Sequence, residues 1–288
     1  MEPWPLARFG AAAQLLGRAP EEWLPLTAGL GPELLVGVQV VLGSDLESIG
    51  LVTVLDAGDP DAIERAARAA QQVSGDDARS FVKACIRPPG QVVVTALQGP
   101  AGAAYSIEHR TPSDVDATLA AHGLSDLVAR ATRTRLGPLA PRVDHAIDHW
   151  AAGTRRIRLG ADTTDRDVVA ALLDRGQVAR GQQAYFADTV AVWTKWNPTM
   201  TVRIAVDANG ILDEVGVGFR NIPGEHLVRV WRTFHSRTDL AQRIGAVVGA
   251  MGVETADRLE LRMRRTSEPD VEATFVPATT PFAPVARR

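Results

Sequence analysis

Apolar and polar residues alternate over many short segments of this chain, with the period of two that is typical of β-strands buried on one face. At 202–206, for example, Val202, Ile204 and Val206 alternate with Arg203 and Ala205. Alternation of this kind, or a short apolar run, predicts strands at 36–40, 49–55, 81–86, 92–97, 104–109, 143–150, 157–160, 185–194, 201–206, 211–219, 259–264 and 271–276. For 143–150 a helix is the alternative.

Helical patterns lie between pairs of these strands. Asp59 followed by Pro60 is a typical helix start, with Asp59 as the N-cap and Pro60 at the first helical position. Thr164 is expected to cap a later helix. The predicted helices cover 6–16, 60–73, 114–121, 124–131, 165–174, 225–234 and 239–251, and another begins at Pro20.

The hairpins repeat along the chain. The V-x-V-x-V pattern at 36–40 recurs as V-x-I-x-V at 202–206, and 46–51 recurs at the same offset as 212–217. Repeated strand-strand-helix units favour one closed or nearly closed sheet with helices outside. We therefore predict an α+β fold, a single antiparallel barrel of about ten strands over residues 1–276, followed by a flexible Pro- and Thr-rich tail over 277–288.

Composition narrows the class of protein. Of the 288 residues 45% are hydrophobic and 23% charged, as in ordinary globular proteins. A net charge of -3 argues against a nucleic-acid binder, and a single cysteine excludes a disulfide framework or a multi-cysteine zinc site. No apolar run is long enough to span a bilayer and the N-terminus does not resemble a secretion signal, so we expect a cytoplasmic protein with no membrane partner.

The polar faces of the predicted strands carry the candidate chemistry. Arg156 and Arg158 share one face of a strand whose other face carries Ile157 and Leu159. One alternative is an open sheet with its polar face in water. The other is a barrel with a wet, charged lumen, which the even spread of helices along the chain favours. Charges inside such a lumen must be paired or bind a ligand.

The order and spacing of these elements resemble the aromatic prenyltransferases of the PT-barrel (ABBA) type. The best-matching stretches are 155–159 (RRIRL), the helix after Thr164, the strand pair around the turn at 207–210, and Gly58-Asp59-Pro60. The resemblance covers 6–276 and implies a ten-stranded antiparallel barrel of helix-strand-strand-helix units around a solvent-filled centre. It also implies a transferase that moves an isoprenoid from its diphosphate to an aromatic acceptor in natural-product biosynthesis.

Several positions depart from the family pattern. In the family, lumen-facing cationic and amide side chains bind the prenyl diphosphate, tyrosines shield the allylic cation, and some members use an Asp-bound magnesium. Arg158 matches a diphosphate-binding position on the sixth strand, but Glu214 stands where an arginine is found on the eighth. The magnesium aspartate falls at Ser48 or Ile49, and the chain has only two tyrosines.

Five arginines form the candidate diphosphate-binding wall: Arg156, Arg158, Arg203, Arg262 and Arg264. Guanidinium groups bind phosphate oxygens in pairs and need no metal to do so, so we expect an enzyme without a metal or another cofactor. The alternative is an ion-pair network with Glu214, Glu260 and Glu272 that only neutralises the lumen.

Carboxylates and indoles supply the other candidates. Glu47, Glu214 and Glu272 are the candidate catalytic residues, as a base or as an anchor for a phenol or indole N–H, and ion pairing with the arginines is the alternative. Trp193 and Trp196 are the candidate aromatic-substrate residues, because indole rings stack on aromatic acceptors and allylic cations. Ordinary packing is the alternative for both tryptophans.

Two further residue types have simpler interpretations. His145 and His149 would share one metal ion only on a helix, where residues four apart lie on the same face; on a strand they are too far apart. Cys85 has no neighbouring motif that would activate a nucleophile and is expected to be a small buried residue.

These observations give three functional hypotheses. The first is an aromatic prenyltransferase whose partners are an isoprenoid diphosphate and a small aromatic acceptor. The second is a PT-barrel enzyme that has lost diphosphate chemistry, such as a cyclase or isomerase of a natural product, which Glu214, Ser48 and the shortage of tyrosines favour. The third is a non-catalytic α/β binding protein or secretion chaperone, which would carry a large apolar patch on its outer surface.

Overall fold

All ten strands form one closed antiparallel barrel. A computed structural model describes residues 4–17, 19, 35–42, 47–87, 90–99, 102–109, 113–195, 197–234, 238–265 and 270–276. Each strand pairs with its neighbours along the chain, and the first pairs with the last. The strands are β1 (Leu35–Leu42), β2 (Glu47–Asp56), β3 (Gln91–Gly99), β4 (Gly102–His109), β5 (His145–Ala151), β6 (Thr154–Thr163), β7 (Met200–Asp207), β8 (Gly210–Pro223), β9 (Thr255–Arg264) and β10 (Asp270–Phe275).

Helices cover the outside of this barrel. Most follow a strand pair, as the repeat in the sequence predicts. The α-helices are α1 (Trp4–Leu15), α2 (Pro60–Ser74), α3 (Asp76–Cys85), α4 (Val115–Ala121), α5 (Asp126–Leu136), α6 (Arg166–Arg175), α7 (Arg180–Trp193), α8 (Gly224–Phe234) and α9 (Thr238–Met251). In the described part of the chain none of them is long and apolar enough to cross a membrane.

The predicted barrel, hairpins and helix starts are largely confirmed. The Asp59 carboxylate accepts hydrogen bonds from the backbone N–H groups of Asp61 and Ala62 at the start of α2. Segment 143–150 is mostly strand, so its helical alternative is wrong. The prediction that Thr164 caps the next helix is wrong by one residue, because the Asp165 side chain accepts the N-terminal hydrogen bonds of α6.

Two predicted strands are helices. Segment 81–86 lies mostly in α3, whose buried residues Ala78, Phe81, Val82 and Cys85 have helical spacing. Segment 185–194 belongs almost entirely to α7, where the buried residues recur every third or fourth position. Short apolar runs fit either period, and here packing against the outer face of the barrel selects the helix. Without these two segments the predicted strands number ten, as observed.

Some predictions lie outside the described residues. They are the helix beginning at Pro20, Trp196 and the tail over 277–288. The backbone of Glu47 begins β2, but its side chain also lies outside the description.

Strand alternation separates the apolar outer face from a polar lumen. In β6, the outward residues Ile157 and Leu159 are buried under helices. The intervening Arg158 is also buried, 3% exposed, and it contacts carboxylates of β8 and β10 on the inner wall. The prediction that Arg158 points inward, opposite Ile157 and Leu159, is therefore confirmed.

Candidate functional site

The lumen has two ends of different construction. At one end the strands turn directly into their hairpin partners, as at 152–153 between β5 and β6 and at 208–209 between β7 and β8; we call it the hairpin end. At the opposite end the strands run into helices; we call it the helix end. The predicted arginines, with Glu214 and Glu272, divide between the hairpin end and the middle of the lumen.

Four arginines lie together at the hairpin end, and we call them the arginine cluster: Arg156, Arg158, Arg262 and Arg264. Their cross-strand neighbours bring them together, since Glu214 pairs with Arg264 and Asp270 with Arg262. The sequence analysis grouped these four with Arg203, because alternation on β6 and β9 points all four to one face.

Carboxylates are interleaved with the arginine cluster. Glu214 lies between two of its members, with Oε1 3.3 Å from Arg158 Nε and Oε2 3.0 Å from Arg264 Nη2. Glu272 Oε2 lies 3.2 Å from Arg262 Nη2 and 3.4 Å from Arg158 Nη1. The predicted catalytic carboxylates Glu214 and Glu272 are thus both in the lumen and both ion-paired.

These ion pairs fix the charge of the carboxylates. Burial alone would raise the pKa of Glu214, but Arg158, Arg262 and Arg156 outweigh it and hold that pKa well below the usual range. The pKa of Glu272 is lowered in the same way, because Arg262 and Arg158 outweigh the effect of burial. Both groups are carboxylates at neutral pH.

Arg156 differs from the other members of the cluster. Among the described residues no carboxylate lies within ion-pair distance of its guanidinium, and its buried Nε has no hydrogen-bond acceptor there. Burial and the neighbouring Arg158 lower the pKa of Arg156 to about 10. Buried guanidinium nitrogens without an acceptor also include Arg158 Nη2 and Arg262 Nε. The cluster therefore holds hydrogen-bond donors that an anionic ligand would satisfy.

Arg203, the fifth predicted arginine, belongs to a separate ion pair in the middle of the lumen. It is 2% exposed and donates a hydrogen bond to the Glu260 carboxylate, which is 0% exposed. The inward positions beside this pair are glycines. A β-carbon at Gly216 would collide with Glu260, and one at Gly160 would lie 3.0 Å from Arg203 Cγ. The glycines therefore make room for the Arg203–Glu260 pair.

A second polar network lies toward the helix end. Arg258 Nη1 donates to Glu108 Oε2 over 2.5 Å, and His145 Nδ1 lies 3.4 Å from Glu108 Oε1. Thr201 donates its hydroxyl proton to Asp162 over 2.6 Å. Neither Glu108 nor Arg258 was among the predicted site residues, although alternation on β4 and β9 places both on the inner face.

Trp193 lies outside the lumen. It ends α7, is 1% exposed, and meets the outward-facing ring of Phe219 edge-on with ring centroids 4.8 Å apart. The strand predicted at 185–194 would have allowed this indole to face a substrate. In the helix it packs against the outer wall of the barrel instead.

His149 is a lumen residue at the hairpin end that the sequence analysis considered only as a metal ligand. It is 6% exposed, and its Nδ1 lies 2.9 Å from Ser106 Oγ. Its cross-strand partner is Arg156. His149 shares the inner face of β5 with His145, yet within the described residues no group of three or more His, Cys, Asp or Glu side chains has metal-binding geometry.

The described part of the lumen is largely filled by its own side chains. A cavity of about 20 Å³ lies next to Glu108, Arg258 and Thr274, and one of about 10 Å³ next to Arg158 and Glu272. Each has the size of a single water molecule. A substrate bound in this part of the lumen must therefore displace or rearrange side chains.

Comparison with solved structures identifies the architecture. No protein-family model matches the chain, and no curated protein matches its sequence. The structure of 6-dimethylallyltryptophan synthase from Micromonospora olivasterospora in complex with DMASPP and Trp matches with a TM-score of 0.65, at 11% identity, over 94% of this chain and 95% of that one. The structure of 5-dimethylallyltryptophan synthase from Streptomyces coelicolor matches with a TM-score of 0.62, at 12% identity, over 98% of this chain and 97% of that one.

A fungal structure matches as well. AnaPT from Neosartorya fischeri gives a TM-score of 0.62 at 9% identity, over 93% of this chain and 91% of that one. At such low identities the likeness concerns the fold, since a fold hosts many activities. The closed ten-stranded barrel with outer helices and the near-complete coverage agree with the resemblance that the sequence suggested. The fold of this chain is the PT barrel of the aromatic prenyltransferases.

Proposed function

We propose that the chain is an enzyme that moves an isoprenoid from its diphosphate to a small aromatic acceptor inside the barrel. The observation that carries this proposal is the set of buried guanidinium donors without acceptors at Arg156, Arg158 and Arg262. A diphosphate group has the several anionic oxygens that such a set requires. The solved relatives that contain DMASPP and Trp support the same substrate classes.

The proposed reaction is an ionisation followed by capture. The allylic carbon–oxygen bond breaks, and its electron pair leaves with the diphosphate. The arginine cluster stabilises the negative charge that grows on the leaving group in the transition state. A ring carbon of the acceptor then forms a bond to the allylic cation, and the proton of that ring carbon passes to a base. The carboxylates Glu47, Glu214 and Glu272 are the bases that the sequence proposes.

Calorimetry with dimethylallyl and geranyl diphosphate tests the proposal directly. Arg156→Ala is the sharpest variant, because its removal breaks no ion pair to a described carboxylate. We expect it to weaken diphosphate binding by roughly 1.5–3 kcal/mol, the usual contribution of a hydrogen bond to a charged group. Arg133→Ala, which removes a half-exposed surface arginine, is the matched control and should leave the affinity unchanged. Absence of binding to the unaltered protein would reject prenyl transfer.

One observation favours the second function, a PT-barrel enzyme without diphosphate chemistry. Glu214, Glu272 and Asp270 together already neutralise three of the four members of the arginine cluster. A lumen of this kind suits a neutral or cationic natural-product substrate that is cyclised or isomerised. Binding of aromatic compounds without any binding of diphosphates would support this function over the first.

The described part of the surface gives no support to a chaperone. The large apolar side chains most exposed among the described residues are Leu15, Leu127 and Val192. They belong to three different helices, α1, α5 and α7, and isolated apolar residues are ordinary on protein surfaces.

A further inference from the structure

His149 lies beside the arginine cluster. Strand pairing places it between Ser106 of β4 and Arg156 of β6. The side chain is buried, and the Ser106 hydroxyl holds one ring nitrogen, Nδ1, at 2.9 Å. The described residues offer no hydrogen-bond partner to the other ring nitrogen, Nε2. A proton acceptor is thus fixed beside Arg156, the member of the cluster that has no carboxylate partner among the described residues.

The charges around His149 come from three strands. Arg156 and Arg158 face it from β6 and Arg262 from β9, while Glu214 of β8 is the opposing negative charge. Burial, followed by the three arginines, holds the pKa of His149 well below its usual range, and Glu214 only partly offsets them. The imidazole is therefore neutral in the unliganded lumen.

We propose that His149 takes up a proton when a diphosphate group occupies the arginine cluster, so that a diphosphate binds in the lumen together with one proton. This inference rests on the proposed prenyl transfer. A bound diphosphate makes the electrostatic potential at His149 negative, because its negative charges outnumber the net positive charge of the arginine cluster and its carboxylates. The neutral ring thereby becomes a stronger base when substrate is present.

The tautomer of the ring fits this role. When Nδ1–H donates to Ser106 Oγ, the lone pair of Nε2 is free to accept a proton. That proton comes from the solvent, and the imidazolium that forms neutralises part of the charge of the bound diphosphate. Ser106 is a positioning residue in this scheme.

Calorimetry can count the proton. Inorganic diphosphate and dimethylallyl diphosphate are titrated into the full-length protein at pH 7.5 in PIPES and in Tris, whose ionisation enthalpies differ. The buffer dependence of the binding enthalpy gives the number of protons taken up on binding. His149→Gln is the test variant. His145→Gln is the matched control, because His145 lies on the same inner face of β5 but contacts Glu108 and Asp162 instead of the cluster.

We expect His149→Gln to take up about one proton fewer per bound diphosphate than both the unaltered protein and His145→Gln. Equal proton uptake in all three would overturn the role of His149 and leave the proposed function standing. Failure of the unaltered protein to bind either diphosphate would overturn both. Failure of prenyl transfer with normal proton uptake would overturn the proposed reaction but not the proton coupling.

A measurement on the unaltered protein tests the inference without relying on a variant that could misfold. Nitrogen NMR shifts of the histidine rings distinguish neutral from charged imidazole. His149 should be neutral at pH 7 without ligand and charged with saturating inorganic diphosphate. A ring that is already charged without ligand, or stays neutral with it, contradicts the inference.

Discussion

The Asp148 carboxylate on the outer face of β5 accepts a hydrogen bond from His122 Nε2 over 3.0 Å. The other ring nitrogen, Nδ1, lies 2.7 Å from the Thr118 carbonyl oxygen. Both ring nitrogens therefore face hydrogen-bond acceptors. Arg155 adds a second contact to Asp148, with Nη2 2.7 Å from Oδ1. This cluster ties the C-terminal end of α4 to the barrel.

Replacement of Asp148 should weaken the fold. Asp148 is 0% exposed, and Asp148→Asn places an amide where His122 and Arg155 require an acceptor. We expect the free energy of unfolding to fall by about 2–3 kcal/mol, measured by urea denaturation. Asp116→Asn removes a half-exposed partner of Arg133 and should change stability by less than about 1 kcal/mol. Equal effects of the two changes would contradict a structural role for the buried cluster.

The same pair predicts a pH dependence. Burial acts to raise the pKa of Asp148, but the hydrogen bonds from His122 and Arg155 outweigh it, so the folded-state pKa lies below the ordinary value of an aspartate. A lowered folded pKa stabilises the protein above the unfolded pKa, and this contribution disappears as the pH falls through the folded value. The stability difference between the unaltered protein and Asp148→Asn should therefore shrink as the pH falls below about 4. A difference that grows on acidification would contradict this sign.

Glu214→Gln should lower the stability of the fold and raise the affinity of the arginine cluster for anions. The change removes the carboxylate that Arg158 and Arg264 share, and we expect a loss of about 3 kcal/mol in the free energy of unfolding. It also removes a negative charge from the arginine cluster, so inorganic diphosphate should bind about tenfold more tightly. Thermal unfolding with and without diphosphate measures both effects, because a ligand of the folded state raises the melting temperature.

The control for that experiment is Glu260→Gln. Glu260 is buried in the lumen and paired with an arginine, as Glu214 is, but its partner Arg203 does not belong to the cluster. This variant should lose stability without gaining diphosphate affinity. Equal gains in both variants would show that any loss of negative charge from the lumen suffices, and would reject a local anion site.

Trp193→Ala should destabilise the protein without a direct effect on ligand binding. The indole is buried between α7 and the outer wall of the barrel, against Phe219. Truncation of an aromatic side chain in such a place costs about 3–5 kcal/mol. Val192→Ala, at the more exposed neighbouring position, should change stability by about 0.5 kcal/mol or less. Diphosphate affinity unchanged at a temperature where both variants are folded would agree with the position of Trp193 outside the lumen; a specific loss of affinity would contradict it.

Strand alternation is a local property, and the sequence alone therefore predicted much of the barrel. The inward direction of Arg158 and the outward direction of Ile157 follow from a period of two, which neighbouring residues determine. The cap at Asp59 and the hairpin repeat are local in the same sense. The grouping of arginines on β6 and β9 needed only the further assumption that the polar faces meet inside a closed sheet.

The partners of those arginines depended on closure of the barrel. Arg158 and Glu272 are 114 residues apart in the chain, and only the tilt and register of the closed sheet bring β6 and β10 side chains within contact across the lumen. Arginines of other strands also keep His149 neutral, and the residues next to His149 in the sequence do not predict this effect. Trp193 was assigned to a strand because a short apolar run fits both periods. Packing against Phe219 on a distant strand decided its conformation, since burial of the indole requires a surface that exists only in the folded barrel.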